Sequence, residues 1–243
     1  MLIGILKTDS VLPDLAARFG EYPDMFAALL HREDPDLVFA TWDIVGGEIP
    51  SDPGECDAWL ITGSRHSVYE DHPWIPPLEE FVRSVHATGG KLIGVCFGHQ
   101  LVARALGGKT GKADAGWTIG VQPQEILEPF SWAVDQPREL DLIHSHQDQV
   151  LRLPEGARQV GRSPTCPNAM FQVGENIMTV QGHPEFSPEY ARALYPRRRE
   201  VFGDELCENA VASLDTGHDA ALMARWMVAF LRFKPAQEAK TER

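Results

Sequence analysis

The 243 residues carry 35 Asp and Glu against 22 Lys and Arg, a formal charge of −13 that leaves no basic face for nucleic acid. A hydrophobic share of 43% suits one large α/β core, and no apolar run approaches the roughly 20 residues that cross a bilayer. The opening Met1-Leu2-Ile3-Gly4-Ile5-Leu6 lacks the basic region and cleavage site of a signal peptide, so a soluble cytoplasmic protein is expected. Four widely spaced cysteines, Cys56, Cys96, Cys166 and Cys207, make neither a disulfide scaffold nor a CxxC metal pattern, which fits a reducing compartment.

In chain order, residues 2–7 read as a first strand, 22–30 as a helix, 36–42 as a second strand and 58–62 as a third that ends at Gly63. Residues 78–86 form an amphipathic helix behind Pro76-Pro77; residues 91–95 form a buried-type strand followed at once by a helix over 98–106. This alternation predicts right-handed crossovers and an open, mostly parallel sheet flanked by helices. From Trp117 to about Val180, glycine, proline and short alternating runs (118–121, 157–161, 169–173) predict an antiparallel β addition in the second half. Helices are expected over 204–214 and 220–233. The whole reads as a single domain over 1–233 with a polar tail over 234–243.

The strongest local signal is Gly94-Val95-Cys96-Phe97-Gly98 between an apolar strand and a helix. A nucleophile on a sharp strand-to-helix turn needs neighbours without side chains, and the turn delivers the sulfur to a helix N-terminus at the sheet's C-terminal edge. Cys56 and Cys166 lie in loops without that context and read as structural. Among nine histidines, His183 has the best setting: a buried strand emerges at Gly182, then His183-Pro184-Glu185 follows. Pro184 biases His183 away from helix, and an extended i, i+2 pair points the same way, so Glu185 can orient the ring toward Cys96. His99 is expected to pack locally or face water. His144 and His146 would share one face of a strand, a spacing that could hold a metal, but no carboxylate or cysteine pattern completes a site, and no metal is assigned. The run Arg197-Arg198-Arg199 reads as the solvated end of a helix.

These motifs resemble the class I glutamine amidotransferases, in particular the amidotransferase domain of GMP synthase and its free-standing relatives. The likeness rests on Gly94–Gln100, Gln181–Glu185, Ile61-Thr62-Gly63-Ser64 and His144-Ser145-His146-Gln147-Asp148, in the family's order, with Gly107-Gly108-Lys109 and Gly116-Trp117 following the cysteine helix. The resemblance implies a flavodoxin-like sheet and a Cys96 nucleophile. It implies His183 as general base and then acid, and Glu185 as the orienting carboxylate. The N–H groups of Gly63 and Phe97 would form the oxyanion hole, and Gln100, Ser145 and His146 would hold the substrate. The implied reaction cleaves the γ-amide of glutamine through a γ-glutamyl thioester, releasing ammonia and glutamate. The chain departs from GMP synthase in lacking its Ser-Gly-Gly nucleotide loop, and it has no P-loop, so no cofactor is expected. An ammonia acceptor would then sit on a separate synthetase subunit. The same departures resemble the free-standing γ-glutamyl peptidases, which cleave larger γ-glutamyl conjugates. A non-catalytic binding protein on the same fold is the alternative of a different class.

Overall fold

The computed structural model describes residues 1–133 and 135–234; residues 235–243 of the expected tail lie outside the described residues. The first half alternates strand and helix: β1 (Leu2–Lys7), α1 (Pro13–Phe19), α2 (Tyr22–His31), β2 (Val38–Asp43), β3 (Ala58–Ile61), α3 (Ile75–Ala87), β4 (Lys91–Val95) and α4 (Phe97–Ala105). Seven strands follow: β5 (Lys109–Lys112), β6 (Thr118–Ile126), β7 (Glu139–His146), β8 (Asp148–Arg152), β9 (Ala157–Arg162), β10 (Met170–Val173) and β11 (Ile177–Val180). The chain then turns helical through α5 (Pro188–Leu194), α6 (Arg199–Phe202), α7 (Asp204–Ser213) and α8 (Ala220–Arg232).

Nine strands form one sheet in the order β2-β1-β3-β4-β11-β10-β9-β6-β7, and β5 pairs with β8 in a small second sheet. The first five run parallel, and the antiparallel addition continues the same sheet from β11 outward. The central parallel strands are continuous apolar runs because both of their faces are covered. Ile3, Ile5, Leu60, Ile93, Met178 and Val180 pack against Phe26 and Leu30 of α2 and Met223, Trp226 and Phe230 of α8. On the opposite face Leu6, Trp59, Ile61 and Leu92 meet Leu78, Phe81 and Val82 of α3 and Leu101 and Val102 of α4. Lys91 seals one end of this packing: its ammonium donates to the terminal carbonyls of α8, Phe230 at 2.7 Å and Leu231 at 2.8 Å. The last carbonyls of a helix run short of N–H donors, so a cation there meets their lone pairs and the negative end of the dipole; that of Phe230 also accepts from the Phe233 N–H at 3.2 Å.

Two features place the site. β3, β4 and β11 are neighbours, so their C-terminal ends open onto one crevice, where ligands bind in parallel α/β sheets. The antiparallel half also curls back on the parallel one. Ile143 of β7, at the far edge of the sheet, forms an antiparallel bridge with His183 just beyond β11, and the His183 N–H donates to the Ile143 carbonyl at 2.8 Å. Ser145 and His146, two and three residues further along β7, are thereby carried to the crevice.

Candidate active site

Cys96 stands between β4 and α4 at φ 50°, ψ −100°, a conformation that costs an L-residue energy and persists only where its surroundings enforce it. The enforcement is visible. The Cys96 N–H donates to the Val180 carbonyl of β11 at 2.9 Å, and its carbonyl accepts from the Gln100 N–H at 3.1 Å. A Cβ on Gly94 would sit 2.7 Å from the Gly98 carbonyl oxygen, and one on Gly98 would sit 2.6 Å from that of Ile61, so the turn closes only with glycine at both places.

His183 and Glu185 are buried beside it. The His183 Nδ1–H donates to Glu185 Oε1 at 2.8 Å, the ring stacks on Phe186 at 4.1 Å, and the ring lies near enough to the Cys96 sulfur to interact with it electrostatically. The second carboxylate oxygen of Glu185 has no partner among the described residues, so its charge is spent mainly on the ring. Burial alone would push the His183 pKa down; the Glu185 carboxylate, then the Cys96 sulfur, reverse this and hold it up at about 10. Both neighbours favour the protonated ring. By contrast, burial raises the Cys56 thiol to about 11 and the Cys166 thiol to about 12, as befits their structural reading.

Gly63 closes the third side: a Cβ there would approach His183 Cε1 to 2.8 Å and the Cys96 Cβ to 3.5 Å. The Gly63 N–H has no acceptor among the described residues, and Phe97 is the first residue of α4, where a helix leaves its N–H groups without intrahelical partners.

Two cavities meet here. One, of ≈ 150 Å³, is walled by Cys96, Gln100, Ser145, His146, Gln147 and Asp148; the other, of ≈ 230 Å³, by His183, Gly63, Asp9, Tyr22 and Phe186. Ser64, Arg65, Ser145 and Arg198 border both. The Gln100 amide donates to the Asp148 carbonyl at 2.8 Å and to Gln181 Oε1 at 3.1 Å, and its own carbonyl oxygen has no partner among the described residues.

His144 and His146 are side by side, as an i, i+2 pair on a strand must be, in a directional chain. His146 Nδ1–H donates to the Asp148 carbonyl at 3.0 Å, His144 Nδ1–H to His146 Nε2 at 3.1 Å, and Gln124 Nε2 to His144 Nε2 at 3.1 Å. Those partners assign one proton to each ring, and burial keeps both neutral, pushing His144 well below the usual range and His146 down to about 4. With both nitrogens occupied, the His146 ring is a wall of the cavity and not a free donor. His99 packs locally, as expected: it is fully buried, its Nδ1 2.9 Å from Thr179 Oγ1.

One expectation is corrected. Arg198 is not part of a solvated helix end: its guanidinium lies 5.0 Å from the Trp117 ring centre and 4.9 Å from that of Phe202, with Nη1 3.4 Å from Ser145 Oγ. Two aromatic faces compensate its partial burial. Arg197 pairs with Asp14 and Arg65 with Asp9, whereas Arg198 has no carboxylate partner among the described residues. The three-arginine run was the only sequence signal of this group, and nothing in its spacing told the inward residue from its neighbours.

The class of protein follows. The family model of class-I glutamine amidotransferases matches residues 47–199, and the chain belongs to that family. Among its relatives is γ-glutamyl peptidase 3 of Arabidopsis thaliana, 30% identical over 82% of this chain and 83% of that protein. The glutamine-hydrolysing GMP synthase component of Thermococcus kodakarensis is 36% identical over 46% of this chain and 61% of that one. A solved glutamine amidotransferase structure from Methylobacillus flagellatus shares the fold at a TM-score of 0.74, 20% identity and 98% coverage of both chains.

Proposed function

We propose that this protein hydrolyses γ-glutamyl amide bonds with Cys96 as nucleophile, and that it prefers leaving amines larger than ammonia. The observation that carries the reading is the buried pair His183–Glu185, hydrogen-bonded at 2.8 Å, beside Cys96 at the mouth of two cavities. The Cys96 thiolate, paired with the His183 imidazolium, attacks the γ-carbonyl carbon. The oxyanion collects the Gly63 and Phe97 N–H groups, each such donor contributing about 3–4 kcal/mol in comparable sites. His183 Nε2–H passes its proton to the departing amine as the C–N bond breaks, leaving a γ-glutamyl thioester. The neutral ring then takes a proton from water, whose oxygen attacks the thioester carbonyl, and glutamate and thiolate separate.

The chemistry also assigns the two cavities. The γ-glutamyl part belongs on the Cys96 side, where the free Gln100 carbonyl can accept from the α-amino group and Ser145 borders the α-carboxylate. His146 contributes by fixing the Asp148 carbonyl rather than by touching substrate. The departing nitrogen must lie within reach of its proton donor, hence on the His183 side. That cavity, at ≈ 230 Å³, is several times the ~30 Å³ that a water-sized molecule such as ammonia takes up. Ammonia transfer to a separate synthetase is the alternative, favoured by the relation to the GMP synthase component.

Glutamate release by the purified protein, measured with glutamine, γ-glutamyl dipeptides and γ-glutamyl alkylamides, tests the reading. A kcat/KM for a γ-glutamyl dipeptide at least about tenfold above that for glutamine, ~1.4 kcal/mol of transition-state binding, is expected. Preference for glutamine would support the amidotransferase donor role. Absence of hydrolysis with every compound would support a binding protein.

A further inference from the structure

The loop between β3 and α3 brings together three side chains that the hydrolysis does not use. His66 Nδ1 lies 3.0 Å from Glu70 Oε2, His72 Nε2 lies 2.9 Å from the same oxygen, and the two ring nitrogens lie 3.0 Å apart. These contacts form a closed triangle, and no placement of protons satisfies all three. A carboxylate only accepts, so both rings must donate to it; two N–H groups then face each other across the third edge. If either ring turns acceptor, its lone pair faces the carboxylate oxygen instead. One object resolves the conflict: a cation toward which all three lone pairs point.

We infer that His66, Glu70 and His72 form a binding site for one divalent cation of the zinc class. Two imidazoles and one carboxylate are a donor set that suits Zn²⁺. The corners of a triangle with such edges lie about 1.7 Å from its centre, so an ion at ~2.0–2.1 Å from each would sit about 1 Å out of their plane with ligand–ion–ligand angles of roughly 95°; moving each ligand atom outward by about 0.2 Å would open these to tetrahedral values and leave the fourth position free. The rings are held by more than their mutual contacts. His72 stacks on Trp74 with its plane tilted 13° and His66 meets the same indole edge-on at 5.9 Å, so the ligands have a packed support.

The position gives the ion a consequence. The His66 N–H donates to Ser64 Oγ at 3.2 Å, one residue from Gly63, and Trp74 packs on Phe97 at 5.5 Å. Both residues proposed to supply oxyanion N–H groups thus adjoin the cluster. An ion bridging positions 66, 70 and 72 would fasten the loop that carries one donor to the indole that supports the other. Its role is to hold this loop, with no part in bond making.

The test is calorimetric titration of Zn²⁺ into metal-free full-length protein bearing Cys96→Ser, which removes the competing sulfur ligand. One equivalent should bind, and Glu70→Gln or His72→Gln in that background should weaken binding at least tenfold while the circular dichroism spectrum is unchanged. Four-coordinate Co²⁺ absorption should appear in the parent and not in the variants. Absence of binding in the parent, or equal binding in parent and variants, would overturn the site. Neither result bears on hydrolysis at Cys96, which the substrate panel reads separately.

Discussion

In the parallel half of the sheet the residues proposed to carry the reaction stand one to three positions beyond a strand end: Cys96 after β4, His183 after β11, Gly63 after β3. In the antiparallel half, the groups that face the cavities arrive from far along the chain, Ser145 and His146 on β7 and Arg198 after α5. The first arrangement needs only local geometry, a strained turn and three adjacent strand ends. The second depends on the sheet curling until β7 bridges to His183. On the proposed function, reaction chemistry and substrate choice are therefore built by different parts of the fold, and each can be perturbed separately.

The largest expected effect lies in the parallel half. Cys96→Ala should abolish glutamate release without unfolding the protein, since the substitution leaves Gly94, Gly98 and the N–H bond to Val180 untouched. A glutamine analogue bearing an electrophilic halomethyl ketone should label one cysteine, which peptide mapping places. A label on Cys56, Cys166 or Cys207, all buried, would overturn the assignment of the chemistry.

The same contrast decides what could be read from the sequence. Strands β1, β3 and β4 were legible because they are apolar runs bounded by glycine or charge, and the cysteine turn because its glycines flank it. Helix α1 was not: it spans seven residues and buries only Leu15, too little for a periodic pattern. β7 was legible only as the period-two spacing of His144 and His146, because its path across the fold has no local signature. The small sheet of β5 and β8 pairs segments some 40 residues apart with mixed burial and escaped for the same reason. His66, Glu70 and His72 went unread because their convergence is made by a loop, whose spacing follows no strand or helix period.

Next in size is the pair His183 and Glu185. His183→Ala should lower kcat by at least about 10³-fold, the range for loss of a positioned acid–base group. Glu185→Gln should cost roughly ten- to a hundredfold less, because the carboxylate orients and charges the ring but moves no proton itself. The pH profile carries a separate sign. The folded pKa of about 10 lies above the usual histidine value, so the ion pair adds stability fully below about pH 6.5 that is lost as pH rises through 10. Activity should fall on the same alkaline limb. Glu185→Gln removes the largest influence raising that pKa, so its alkaline limb should move to lower pH. An unmoved limb would mean that another group titrates there.

The smallest and most selective effect belongs to the antiparallel side. Arg198 borders both cavities, and its guanidinium has no carboxylate partner among the described residues. A leaving amine in the His183 cavity that carries its own carboxylate, as an amino acid or dipeptide does, would supply one. Arg198→Met keeps the long apolar stem between Trp117 and Phe202 and removes only the charge. A hydrogen bond to a charged group contributes about 1.5–3 kcal/mol, so kcat/KM for γ-glutamyl amino acids should fall roughly ten- to a hundredfold. A γ-glutamyl alkylamide and glutamine, which have no carboxylate on the departing side, should change by no more than about twofold. If Arg198 instead held the α-carboxylate of the γ-glutamyl part, that group is common to all three compounds and their rates would fall together. Equal losses across the panel would thus move Arg198 to the Cys96 cavity and leave the His183 cavity without its anion-binding group.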